Sequence, residues 1–443
     1  MIPPDAFASH TLSRHPEGER VQRILAAAIR SAEAGAAVRR FLRRESDSLF
    51  VDGREYPLDK IGRVRVLGLG KASPAMTLPL ADLLPDRATR GLLIPKATPV
   101  HAPDGFDLQP GGHPVPSEAS LRAGQKARGL VRGLDENDLL ICLISGGGSA
   151  LMTLPHAGVS LPDLRALTSD LLACGARVDE VNILRRHLDS LKGGGLARLA
   201  SPARVVSLIL SDVVGNPLEA VASGPTAPDP STREDARRVL EKYGLAEKVP
   251  APILEALETN PETPKPGDAL FERVQNVIVG SNARAAESAC SQARSEGFHP
   301  VWLGDDWQGE ARDVGRELSR ILKSTSEPRP FCLVAGGETT VAVRGRGRGG
   351  RNQELALAAV RELARRRDLL LVSLATDGED GVTDAAGAVV SGETLARGLD
   401  LGLVPESFLA KNDSYSYFSA LDDLLKPGPT GTNVNDLMFC FGL

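Results

Sequence analysis

Short runs that are apolar at nearly every position alternate along this chain with longer amphipathic ones. VRVLGL (64–69), GLLI (91–94), LLICLI (139–144) and RVVSLILS (204–211) carry almost no polar residue. A run apolar throughout, rather than at every second position, predicts a strand covered on both faces. Between these runs, SEASLRAGQKARGLV (117–131), LPDLRALTSDLLACG (161–175) and VDEVNILRRHLDSLKGGG (178–195) repeat their apolar positions at helical spacing, and Ser117 supplies an N-cap. Residues 18–44, rich in Ala, Arg and Leu, predict one long amphipathic helix. Such alternation predicts βαβ units and a mainly parallel sheet flanked by helices.

The stretch NPETPKPGD (260–268) interrupts the pattern with three prolines and a glycine, and a domain boundary is expected there, separating 1–262 from 268–443. Beyond it the alternation resumes. Strands are predicted at 274–280, 301–304, 331–337 and 369–378, helices at 281–296, 309–323, 352–367 and 414–425, and a closing strand at LMFCF. A chain of 443 residues is too long for one ordinary core. The expected fold class is therefore α/β: two three-layer α/β domains, the first Rossmann-like with a mainly parallel sheet.

Composition narrows the functional classes. With 52 basic and 57 acidic side chains the formal charge is −5, so bulk attraction to nucleic acid is not expected. The five cysteines, at 142, 174, 290, 332 and 440, form no C-x-x-C pair and lie mostly in apolar runs. They read as buried reduced thiols, not as a disulfide frame or a zinc site. No apolar stretch reaches the roughly 18 residues of a membrane span, and the first residues lack the apolar segment of a signal peptide. A cytoplasmic location without membrane partners is the expectation.

In open parallel sheets ligands bind beyond the carboxyl ends of strands, and here those ends are unusual. They carry Gly70-Lys71, Ser145-Gly146-Gly147-Gly148-Ser149, Ser211-Asp212, Gly336-Gly337-Glu338, and Thr376-Asp377-Gly378 followed by Asp380-Gly381. Any one of these loops reads equally well as a plain βα turn. Five together predict a site for a polyanion, with backbone amides converging on phosphate oxygens. SGGGSA is not a Walker A loop, because no lysine follows it. VLGLGKAS places G-x-G after a strand, but the third position of the dinucleotide fingerprint is Ser73, and GLLI ends at Pro95-Lys96 with no acid for a ribose. Asp212, Asp377 and Asp380 suit Mg²⁺ or a base near a hydroxyl nucleophile. RGRGRGGR (344–351) runs straight into a helical segment, so it reads as an anion clamp at a helix start more than as a disordered RNA-binding box. His113 and His187 remain unassigned.

The segments GLGKA (68–72), GGHPVPSE (111–118), SGGGSALM (145–152), HLDSLKGGGLA (187–197), LSDVVGN (210–216) and ASGPT (222–226) resemble the amino-terminal part of class II glycerate kinases. AGGETTV (335–341), GGRNQELAL (349–357), ATDGEDGVTDAAGA (375–388) and GPTGTNVNDL (428–437) resemble the carboxyl-terminal module of the same family, called MOFRL, over about 328–440. The resemblance runs in order from about residue 20 to 440. It implies ATP-dependent phosphorylation of D-glycerate to 2-phosphoglycerate in an interdomain cleft, with ATP and Mg²⁺ as cofactors, and leaves a homo-oligomer open. Lys71 and Arg351 match the family's proposed catalytic cations. Asp212 is a third catalytic candidate, and Ser145, Gly146, Gly147, Gly148 and Ser149 are expected to form the phosphate loop. Lys192, Glu338, Asp377, Asn433 and Asn435 are expected to line the cleft, with metal contacts from Asp212 and Asp377. This chain departs from the family form at Val382, where DGVTD replaces DGPTD, and at Lys411 in KNDSYSYF, where an uncharged residue is usual. Some relatives carry the name hydroxypyruvate reductase, which is the alternative enzyme. A sugar-phosphate sensor is the non-enzymatic alternative.

Overall fold

The wholly apolar runs become the central strands of a parallel sheet. In this computed structural model, which describes residues 2–87, 90–98 and 103–443, the strands are β1 (Val64–Leu69), β2 (Gly91–Ile94), β3 (Phe106–Leu108), β4 (Leu139–Ile144), β5 (Arg204–Leu210) and β6 (Val274–Gly280). They lie in the order β3-β2-β1-β4-β5-β6. The pairs β3–β2, β2–β1, β1–β4 and β4–β5 are parallel, with Val64 opposite Leu139 and Leu139 opposite Arg204. Every residue of β4 is buried, as its unbroken apolar sequence requires. This strand order is that of the doubly wound Rossmann fold, whose winding reverses between the first and fourth strands. The carboxyl ends of β1 and β4 therefore flank the switch point.

The helix Glu118–Val131 begins as expected, with Ser117 accepting from the Ser120 N–H and Ser120 answering in a reciprocal cap. The segment 18–44 does not continue as one helix. It breaks at Glu33 into Gly18–Ala32 and Ala34–Phe41, and the chain then enters a three-stranded antiparallel sheet of Leu42–Glu45, Ser48–Val51 and Arg54–Pro57. Asp52 and Gly53 both take positive φ and close a two-residue hairpin between Val51 and Arg54.

The chain divides into two compact units, Ala34–Val279 and Met1–Glu33 with Gly280–Leu443. The stretch 274–280, expected to open the second domain, is instead the edge strand β6 of the first sheet. The proline-rich 260–268 belongs to the first unit, where Asp229 donates its N–H to Pro264 O (2.9 Å) and accepts from the Thr263 hydroxyl (3.0 Å). The first 33 residues fold with the second unit. Thr11 donates to Asp423 through its N–H (2.7 Å), Arg23 pairs with Glu296 (2.8 Å), and the Ser288 hydroxyl donates to Ala27 O (3.3 Å).

In the second unit β7 (His299–Trp302), β8 (Trp307–Glu310), β9 (Phe331–Thr340), β10 (Leu369–Ala375), β11 (Gly387–Ser391), β12 (Leu424–Leu425) and β13 (Asp436–Gly442) form a mixed sheet. The path is β7-β9-β13-β10-β11-β12, with β8 beside β9. β13 runs antiparallel to both β9 and β10, setting Asp436 opposite Gly337 and Ala375. The start of β13 therefore sits in the same row as the carboxyl ends of its neighbours. Leu333, Leu371, Met438 and Cys440 pack there against Leu355 and Tyr417 of the covering helices.

All five cysteines are free; four are buried, and Cys174 is exposed, contrary to the expectation that it would be covered. Burial pushes the Cys142 and Cys440 thiols up to about 12. Among the described residues no helix is long and apolar enough to cross a membrane.

Candidate active site

At the switch point the ends of β1 and β4 are laced together. Ser145 donates its N–H to Leu69 O (2.8 Å), Lys71 donates its N–H to Gly146 O (3.1 Å), and the Ser145 hydroxyl accepts from the Ala72 N–H (3.0 Å). Gly70 holds φ +112°, and a Cβ there would lie 2.3 Å from Ser145 O, so only glycine allows the approach. The Ser145 side chain is thus buried as a tie between turns. Lys71 is exposed at the turn. A Cβ at Gly146 would meet the Asp212 carboxylate at 1.9 Å, which places Asp212, after β5, directly against the glycine loop. Gly147, at φ +84°, leads into the short helix Gly148–Leu151, and the Ser149 hydroxyl accepts from Ser223 (2.8 Å). Lys71, Asp212 and the 145–149 loop are therefore one cluster.

Lys192 lines a second pocket, together with Ser149 of that loop. It is 4% exposed, donates to Met152 O (3.1 Å) and forms an ion pair with Asp189. Asp189 also accepts from the Thr153 hydroxyl (2.6 Å) and from the N–H groups of Leu154 (3.0 Å) and Leu191 (2.9 Å). Burial works to raise the Asp189 carboxyl, but Lys192, Thr153 and Leu191 hold it below the usual range. Burial pulls the Lys192 ammonium down against the attraction of Asp189. His187 is likewise structural, between Ile183 O (2.9 Å) and Glu262 (3.0 Å).

In the second unit a pocket of about 710 Å³ brings together Glu338, Arg351, Asp377 and Asn433. Arg351 opens the helix Arg351–Glu362. It grips Asp436 with two prongs, Nε to Oδ2 at 2.5 Å and Nη2 to Oδ1 at 3.1 Å, and donates through Nη1 to Glu338 at 2.7 Å. Burial pushes the Asp436 carboxyl up to about 7, opposed by the Arg351 charge. Burial works against the guanidinium's charge, but Asp436 and Glu338 more than offset it and keep Arg351 protonated.

Asp380 caps that helix, accepting from the N–H groups of Asn352 (3.2 Å) and Gln353 (2.9 Å). It is spoken for as a cap, whereas the sequence placed it among metal or base candidates. Asp377 accepts from the Glu379 N–H (3.2 Å). Asn435 does not line the pocket. It is 5% exposed at φ +66°, donates its N–H to Asn433 Oδ1 (3.0 Å) and accepts from Thr376 at its carbonyl, so it shapes the turn beneath. The RGRGRGG loop is ordered by its backbone. Asn412 accepts from the N–H groups of Arg344 (2.7 Å) and Gly345 (2.9 Å), and Lys411 O accepts from that of Gly347 (2.8 Å).

No group of three His, Cys, Asp or Glu able to cage a metal occurs among the described residues. Asp212 belongs to the first unit and Asp377 to the second. Single carboxylates fit Mg²⁺ that arrives on phosphate oxygens and keeps part of its water, better than a metal held by protein alone.

Two residues the sequence reading passed over matter here: Asp436, beneath Arg351, and Asp189, beneath Lys192. Asp436 carried a usable signal, an acid opening the apolar strand LMFCF.

Residues 20–258 match the family described as a domain of unknown function, DUF4147, and residues 331–436 match the MOFRL family. The chain is 41% identical over 390 residues to a D-glycerate 2-kinase of Thermotoga maritima, covering 86% of this chain and 91% of that one. It is 39% identical over 383 residues to an Agrobacterium vitis protein named as a hydroxypyruvate reductase, covering 85% and 86%. A crystal structure of a glycerate kinase from Thermotoga maritima superposes with a TM-score of 0.86 at 38% identity, over 95% of this chain and 98% of that one. With that identity sustained across both units, the chain belongs to the glycerate kinase family in which a DUF4147 region precedes a MOFRL region.

Proposed function

We propose that the chain is a glycerate 2-kinase, transferring the γ-phosphoryl group of ATP to the 2-hydroxyl of D-glycerate. The observation that carries this reading is the laced turn at the Rossmann switch point, where Lys71 and Asp212 flank a glycine loop, in a chain that covers nearly the whole length of two relatives named as glycerate 2-kinases. Phosphoryl transfer asks the protein mainly for positioning and charge stabilisation. The glycine loop supplies backbone donors for the triphosphate. Lys71 in the first unit and Arg351 in the second are each suited to neutralise phosphoryl charge or to hold a carboxylate. Asp212 in the first unit and Asp377 in the second are each a candidate to hold Mg²⁺, which would supply charge neutralisation on the triphosphate.

Arg351 is suited to its role because Asp436 fixes the plane of its guanidinium while the same side chain lines the pocket. Glu338, Asp377 and Asn433 line the same pocket and complete the polar surface around it.

The name hydroxypyruvate reductase on two relatives motivates the second reading. The site chemistry disfavours it. Ser73 stands where the dinucleotide fingerprint has its third glycine and donates its hydroxyl to Gly70 O at 2.9 Å, and β2 runs out into Pro95-Lys96 with no acid for a ribose. Parallel assays separate the readings. ATP, Mg²⁺ and D-glycerate should yield ADP, while NADH or NADPH with hydroxypyruvate should show no oxidation. Nicotinamide oxidation without ADP formation would sink the kinase, and tight ligand binding with no turnover in either assay would favour a sensor.

A further inference from the structure

We infer that His113 is the general base of the transfer, taking the hydroxyl proton of glycerate from a place beside Lys71 and the glycine loop. The inference rests on the kinase reading and adds a residue to it.

Four backbone constraints set the position of His113. Gln109 donates its N–H to Leu93 O (2.9 Å) and Gly111 to Pro95 O (3.1 Å), so the chain leaving β3 runs along the end of β2. A Cβ on Gly111 would lie 2.1 Å from Leu151 O, which makes the segment hug the helical turn after the glycine loop. Gly112 donates its N–H to the Ser120 hydroxyl at 2.9 Å. The imidazole is thereby laid over Gly147. The point a Cβ would occupy on Gly147 is 3.2 Å from Cδ2 and 3.3 Å from Nε2 of His113, and 3.6 Å from Cε of Lys71. Imidazole and lysine stem thus both reach Gly147, which has no side chain to separate them.

Among the described residues, the charged groups acting on the ring are Lys71, from the end of β1, and Lys96, from the end of β2. Burial first, and then these two cations, hold the imidazole below its usual range, so it is neutral and able to accept a proton at pH 7. Binding of the triphosphate offsets both lysine charges and strengthens the base at the moment it is needed. Two carboxylates compete poorly for this role. Asp380 is committed to two helix amides and Asp436 to Arg351.

In the step itself the glycerate oxygen bonds to the γ-phosphorus, and the bond from that phosphorus to the β–γ bridging oxygen breaks. The electron pair leaves with ADP, and the hydroxyl proton passes to the imidazole and then to solvent.

The test compares His113→Gln and His113→Ala with the unaltered enzyme, using ATP, Mg²⁺ and D-glycerate. Both variants should lose about 10²–10⁴-fold in kcat with KM for either substrate within about threefold, the pattern of a lost proton acceptor. Added imidazole should restore part of the rate to His113→Ala and none to Lys71→Ala. Should His113→Ala fold poorly, His113→Gln, which keeps the side-chain volume, carries the kcat comparison. The inference is overturned if His113→Gln turns over within about threefold of the unaltered enzyme, or if the loss sits in KM and imidazole rescues nothing. An unaltered enzyme that makes no ADP overturns the kinase reading and this one with it, whereas normal turnover by His113→Gln removes only the role given to His113.

Discussion

In the first unit the exposed cation, Lys71, stands at a strand end among glycines that offer backbone amides. In the second, Arg351 stands on two carboxylates, one of them buried. The sheets explain the contrast. In the parallel sheet the ends of β1 and β4 point the same way, so the row above them is made of turns, and turns built from glycine bring N–H groups rather than side chains. In the mixed sheet β13 runs against its neighbours, which puts its first residue, Asp436, into the row of strand ends. A carboxylate at the start of an antiparallel strand can underlie an arginine there. One strand reversal thus separates an amide cradle from a side-chain clamp.

The strongest way to break this comparison is to remove the cations. Lys71→Ala should lower kcat by about 10²–10⁴-fold, the usual loss for a preorganised charge in phosphoryl transfer, while the melting temperature barely moves, since the side chain is exposed. Arg351→Lys should lose nearly as much as Arg351→Ala, because an ammonium cannot reproduce the two-pronged contact with Asp436. Steady-state kinetics beside thermal melts check both; normal kcat in a protein that melts far lower would make Lys71 structural.

The other lysine sharpens the point. Lys192→Met leaves Asp189 buried without its partner and should cost about 3–5 kcal/mol of stability, read by urea unfolding. A fully stable Lys192→Met that has lost kcat would reverse the assignments of the two lysines. Asp436→Asn tests the clamp: it keeps the shape but loses the charge that fixes Arg351, and kcat should fall about 10–100-fold, the range seen when a group orienting a reacting residue is removed. Smallest should be Arg344→Ala and Arg346→Ala, each under about tenfold in kcat, if these arginines only border the ordered loop.

Much of this was readable from residues. Runs without polar positions marked β1, β4, β5 and β10 closely, because a strand buried on both faces leaves no choice of register or face. The partner of a strand is another matter. The run 274–280 is equally good at the edge of either sheet, and three prolines at 261, 264 and 266 report only that no helix passes, not that contacts cease. The division between units was missed for that reason. Similarly, helical spacing over 18–44 hid the Asp52-Gly53 hairpin just beyond it. The site shows the same limit. Asp212 stood out as an acid beside an apolar strand; Asp436 obeys the same rule at the opposite end of its strand, where an expectation of parallel strands gives no reason to look.

The central claim concerns which hydroxyl receives the phosphoryl group, and a proton-coupled phosphorus NMR spectrum of the product tests it directly. Incubation with ATP, Mg²⁺ and D-glycerate should give, besides ADP, one phosphomonoester signal split into a doublet by the single proton on the carbon bearing the ester oxygen. That is the signature of phosphate on the secondary 2-hydroxyl. A triplet, from a phosphate on the primary carbon, or no new phosphomonoester at all, would contradict the assignment.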